Sequence, residues 1–146
     1  MKSALRKIVV TTFVLLVVGF LPTGAFADTK VTVRMIQAAA QPESIHPDLK
    51  DLAGYFQRFG TFKSFQPAGV KEITLKLDET GSMVLPSGDK LELQYRGTSK
   101  EFVKLRFSLA DMSMNIRIHD GGIFFHSGVA YKGGRIILAI RAIDVP

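Results

Sequence analysis

Between residues 102 and 143 the chain alternates apolar and polar side chains in short runs, and each break between runs carries a pair of turn-forming residues. Alternation with a period of two marks a strand that buries one face. The runs are 102–109, 112–119, 123–131 and 135–143, with Ala110-Asp111, Gly121-Gly122 and Gly133-Gly134 at the breaks. Gly-Gly suits a two-residue hairpin because both central residues can take positive φ. Such short loops fix which residues face one another. Val103, Leu105, Phe107 and Leu109 then lie opposite Ile118, Ile116, Met114 and Met112, and Phe125, Val129, Tyr131, Ile136, Leu138, Ile140 and Ala142 continue the same face. A slip of one residue would turn the whole set to the wrong side. Turn spacing and hydrophobic pattern agree, so a four-stranded antiparallel meander is expected.

The same register generates a second face. It sets Lys104, Arg117, His126 and Arg141 in one row across four neighbouring strands, with Phe102, His119 and Phe124 beside them and Arg106 and Asn115 one step away. Like charges directly opposite each other on a sheet are destabilising by some tenths of a kcal/mol per pair. A row of three permanent cations around a histidine is therefore not what stability alone selects. One reading is an anion-binding strip for a phosphate, a carboxylate or an acidic partner. The other is a set of long side chains spread into water, where screening makes their repulsion small.

Upstream, Lys30 to Ala38 is rich in β-branched residues and reads as a strand. Pro47 suits a first helical position, and Asp48 and Asp51 complement the dipole of a first turn. Leu49, Leu52, Ala53, Phe56 and Phe59 then recur at helical spacing, and Gly60 is a natural terminator. After it the period returns to two: Thr61 to Gln66 reads as a short strand, and alternation resumes at Ile73-Leu75-Leu77 and at Leu91-Leu93-Tyr95. The expected fold is α+β, an antiparallel sheet of about seven or eight strands, flat or folded into a two-sheet sandwich, with one amphipathic helix packed on it.

Residues 1–27 read as a signal peptide and not as part of the fold. Lys2, Arg6 and Lys7 precede an apolar run from Ile8 to Leu21, Pro22 breaks it, and Ala25-Phe26-Ala27 supplies the small-x-small pattern of a cleavage site. That run of 14 residues is short of the roughly 20 that span a bilayer. Export to the periplasm or the medium is expected, with residues 28–146 as a single mature domain. The chain has no cysteine, which removes disulfides, thiolate metal sites and the cysteine of a lipid anchor. The net charge of +6 includes three basic residues of the leader, so residues 28–146 carry 16 basic and 13 acidic side chains, or +3. The excess lies in the second half: residues 96–146 hold eight basic and four acidic groups. That balance falls short of the clustered Lys and Arg of a nucleic-acid binder.

Candidate chemistry is sparse. His119 and His126 fall on neighbouring strands of the expected outer face, roughly 5–8 Å apart at Cβ, but two imidazoles among cations do not make a metal site. His46-Pro47-Asp48 has the look of a His-x-Asp pair, although Asp48 is better explained as a first-turn helix residue. Ser127-Gly128 lacks the context of a nucleophile elbow. Neither Gly-Gly pair joins a parallel strand to a helix, so neither reads as a phosphate loop. Most carboxylates fall in turns or alternate with bases, and the sequence does not mark a converging pair such as glycosidases use. Phe56, Phe59, Phe62 and Phe65 recur every three residues, but Gly60 divides them between two elements, which points to core packing. No catalytic residue, cofactor motif or metal set is identified.

Val31-Thr32-Val33-Arg34-Met35-Ile36-Gln37-Ala38, Pro47-Asp48-Leu49-Lys50-Asp51-Leu52-Ala53, Phe59, Phe62, Ser64-Phe65, the Leu85-Pro86-Ser87-Gly88 turn and the closing Leu138-Ala139-Ile140 strand together resemble a loose group of small secreted bacterial proteins of unknown function. The resemblance implies export and a single domain, and it carries over no catalytic residue. The functional expectation is a non-catalytic domain that binds a protein or an anionic envelope component through Lys104, Arg117, His126, Arg141, His119 and Phe124. The alternatives are an exported enzyme or small-ligand binder whose site the sequence does not mark, and a weak attraction to anionic membranes.

Overall fold

Antiparallel strands account for most of the structure, a computed structural model that describes residues 27–145. The expected leader with Ala25 lies outside the described residues, and Ala27 is exposed at their start. In chain order the elements are β1 (Asp28–Ala39), β2 (Ser44–Ile45), a helix (Pro47–Phe59), β3 (Ser64–Leu75), β4 (Thr80–Val84), β5 (Lys90–Ser99), β6 (Phe102–Leu109), β7 (Met112–His119), β8 (Ile123–Tyr131) and β9 (Gly134–Val145). They form a five-stranded sheet in the order β2-β3-β1-β9-β8 and a four-stranded sheet in the order β4-β5-β6-β7.

The first expected hairpin is present to the residue. Val103, Leu105, Phe107 and Leu109 face Ile118, Ile116, Met114 and Met112 across β6 and β7. Ala110 adopts φ +52 in the connecting turn. With Leu91, Leu93 and Tyr95 of β5 these residues bury one face of the four-stranded sheet against Val31, Val33 and Met35 of β1 and Ile136, Leu138, Ile140 and Ala142 of β9. Packing between the two inner faces is thus the main core, as in a sandwich.

The continuous meander is not formed. Gly121-Gly122 does reverse the chain, and the Gly122 N–H donates to His119 O at 2.6 Å, but the Gly121 N–H donates to Ala142 O of β9. The chain crosses to the other sheet, where β8 pairs with β9 as expected but not with β7. The last turn also shifts by one: Lys132 (φ +47) and Gly133 (φ +78) make it, and Gly134 pairs with Tyr131. A bulge lies between His126 and Val129 of β8. Its extra residue changes the parity of the strand, so Phe124 joins Val129 and Tyr131 at the inter-sheet core while Phe125 turns to the opposite face. Two other expected strands, at 61–66 and from residue 73, are one strand, β3, bent by a register shift opposite Met35/Ile36.

The helix covers part of the outer face of the five-stranded sheet. Leu49, Leu52 and Phe56 are buried against Ile36, Ala38, Phe65, Ile137 and Ala139, and Phe56 stacks on Phe65 at 4.1 Å. This second cover explains why β9 reads as an unbroken apolar run: Ile136, Leu138 and Ile140 face one layer, Ile137 and Ala139 the other. The segment is wound as a 3-10 helix, and Gly60 follows it in a right-handed conformation. His46 caps its start, its Nδ1 accepting the Asp48 N–H at 3.1 Å, which gives His46 a structural role. Arg34 of β1 holds the helix from below, donating to both carboxylate oxygens of Asp51 and to Asp48 O. The hydrogen bond from Arg34, helped by its charge and opposed by burial, lowers the Asp51 pKa.

Candidate functional site

The solvent face of the four-stranded sheet gathers four cations, Arg96, Lys104, Arg106 and Arg117. Alternation along β6 and β7 puts Lys104, Arg106, Asn115 and Arg117 outward because Leu105, Phe107, Ile116 and Ile118 are drawn into the core. Lys104 lies directly opposite Arg117, and Arg106 opposite Asn115. On the other flank, the register of β5 with β6 steps from Tyr95↔Leu105 to Thr98↔Val103. Arg96 and Gly97 (φ +95) therefore both oppose Lys104. Arg96, Lys104 and Arg117 form one row across three hydrogen-bonded strands, with Arg106 beside it.

These four cations line a shallow depression of about 350 Å³ with Asn115. Arg96 has a distant acidic partner, Asp78 at 3.8 Å, and donates to Gln94 Oε1 at 3.4 Å. Lys104, Arg106 and Arg117 make no ion pair with the described residues. Neighbouring strands run about 4.8 Å apart, so the row sums its positive potential over a short distance. An anion laid across it meets several donors at once.

His119 ends this face but is not a free cation. Its Nε2 lies 3.0 Å from Glu101 Oε2, its Nδ1 3.1 Å from Asp120 O, and its ring meets the edge of Phe102 at 5.6 Å. The hydrogen bond to Glu101, then that to the Asp120 carbonyl, raise its pKa. When protonated it is compensated by Glu101.

The expected four-strand row is thereby corrected. Lys104 and Arg117 remain adjacent, but His126 and Phe124 lie on the inter-sheet side of β8, where their rings are 4.9 Å and 6.3 Å from that of Phe107. Arg141 lies on the outer face of the other sheet, opposite Thr32 and Ile123 and close to Arg34. His119 and His126 thus occupy opposite sides of the four-stranded sheet and cannot share a metal. Among the described residues no three His, Asp or Glu side chains are grouped to hold one. Arg96 is the cation missed. The apolar alternation stops at Tyr95, and neither Lys100 nor Glu101 advertises the turn that sets the register of Arg96; Gly97 inside a strand is the available sign of a bulge.

Other concavities lie among the described residues. A groove of about 590 Å³ runs between the helix and β2–β3 over Ile45, Phe56, Phe62 and Phe65, with Glu43 and Lys63 at its rim. A depression of about 90 Å³ lies beside the helix between Arg34 and Arg141. Among the described residues, neither the Ser44 hydroxyl in the first nor the Thr32 hydroxyl in the second hydrogen-bonds a side chain that could serve as its base. No helix among the described residues is long and apolar enough to cross a membrane. Comparison with known protein families, with curated proteins and with solved structures finds no match.

Proposed function

We propose that the protein is an exported, non-catalytic domain that binds an anionic envelope component through the solvent face of its four-stranded sheet. The observation that carries this reading is the row Arg96, Lys104 and Arg117 with Arg106 beside it, three of the four lacking an acidic partner among the described residues. An open, shallow depression favours an extended ligand with several charges over an enclosed small anion. The leader-like residues 1–27 and the basic tilt of the second half support the same reading.

Retention on immobilised dextran sulfate, a soluble polyanion, tests it. Each cation at an anionic surface contributes about 1 kcal/mol, so Lys104→Glu with Arg117→Glu should weaken binding by roughly thirty-fold or more. Wild-type binding should fall steeply with salt. Arg141→Glu makes a smaller charge change on a different face and should leave most of the binding intact. Failure of the wild type to bind at low salt, or a double reversal that binds as well as wild type, would sink the reading. Export is tested separately by sequencing the N-terminus of protein recovered outside the cytoplasm, where Asp28 is the expected first residue.

A further inference from the structure

Among the described residues β8 is the outermost strand of its sheet and pairs with β9 alone, so its shape depends on few bonds. Its bulge is held by three of them. The Gly128 N–H donates to His126 Nδ1 at 2.8 Å. Arg135, at the start of β9, donates from Nε to Ser127 O at 2.9 Å and from Nη2 to Gly128 O at 3.0 Å. Gly128 takes φ +64. The His126 ring meanwhile leans on Phe107 of β6 at 4.9 Å.

Nδ1 can accept the Gly128 N–H only while it carries no proton, which fixes the neutral tautomer with hydrogen on Nε2. A second proton would place an N–H on Nδ1 against the N–H of Gly128, donor against donor. The groups facing the ring offer an imidazolium no compensation. β9 presents Leu138 in register and the Arg135 guanidinium, and β6 presents Phe107. No carboxylate among the described residues forms an ion pair with it.

We propose that His126 is an acid-sensitive latch on the edge of the sandwich, whose protonation frees the Gly128 amide and loosens the second half of β8 from β9. Burial, then the charge of Arg135, lower the His126 pKa. The unfolded chain, with an ordinary histidine value near 6.5, therefore binds the proton more readily than the folded one. The latch's stability is full above that value and is lost as pH falls through the window below it, down to the depressed folded value. The exposed pair of His119 and Glu101 has the opposite sign: its contribution is present at low pH and is lost as pH rises through the raised folded value of His119.

The test is a titration of the full chain by nuclear magnetic resonance from about pH 7.5 to about pH 4.5. The Gly128 amide should shift with the same midpoint as the His126 ring nitrogens. Its exchange protection, corrected for the intrinsic pH dependence of exchange, should fall by about tenfold or more. His126→Asn supplies an uncharged acceptor and should keep the amide protected across the range. An amide that ignores the titration of His126 in the wild type would overturn the proposal, as would one that opens equally in His126→Asn. The wild-type comparison of midpoints stands even if the variant folds poorly.

Discussion

Phe107→Ala should lower stability by about 3–5 kcal/mol, the range for emptying a large aromatic site in a core. Phe107 is fully buried at the middle of β6, opposite Leu93 on one side and Met114 on the other. It also reaches across the sandwich to Phe124 and His126 of β8, and so joins the two sheets. Rigid strands on both sides cannot collapse into the space, so the cavity cost adds to the lost transfer free energy. Urea denaturation should show a lower midpoint with an unchanged slope. A loss below about 1 kcal/mol would mean that the ring does not fill the space between tightly packed sheets. The same variant removes the platform under the imidazole, so it should also weaken protection of the Gly128 amide at neutral pH.

The contrast between the two halves of the expected meander explains what a sequence can carry. The β6–β7 register was legible because two independent signals coincide there: a two-residue turn at Ala110-Asp111, and apolar residues that face one another only in that register. At Gly121-Gly122 the local signal was equally good, and the turn is present. A turn, however, specifies only that the chain changes direction. Which strand accepts the hydrogen bonds of the next segment depends on distant residues. Here Ala142, some twenty residues downstream, takes the Gly121 N–H, and β1 supplies the other flank of β9. The apolar face of the four-stranded sheet has to be covered, and folding β8 and β9 over it achieves this.

The candidate site was legible to the same extent. Lys104, Arg117 and Arg106 follow from the β6–β7 hairpin, whose turn and apolar pattern define a single register. His126, Phe124 and Arg141 would join them only if that register continued, but the connection changes sheets and a bulge follows. Ser127-Gly128 reads as an unremarkable pair inside a strand, and nothing local distinguishes a glycine tolerated there from one required there. The requirement lies in a long-range contact, the close approach of β9.

That requirement makes Gly128→Ala the second large effect expected. A Cβ built on Gly128 would lie 1.5 Å from Ile136 O and 2.7 Å from its carbonyl carbon, both backbone atoms of a fully buried residue. No side-chain rotation relieves such an overlap, so the bulge itself must change. Opening it costs the bonds from Arg135 and to His126. Removing it shifts the parity of β8 and exchanges the faces of Phe124 and Phe125. Either route should cost about 3 kcal/mol or more. Gly133→Ala provides the control, because that residue also has positive φ, +78, yet nothing lies within 4 Å of its would-be Cβ. It should carry only the backbone penalty of about 1–2 kcal/mol. Thermal melts of the two variants side by side therefore separate strain from collision, and equal losses would mean that β9 does not press against the bulge.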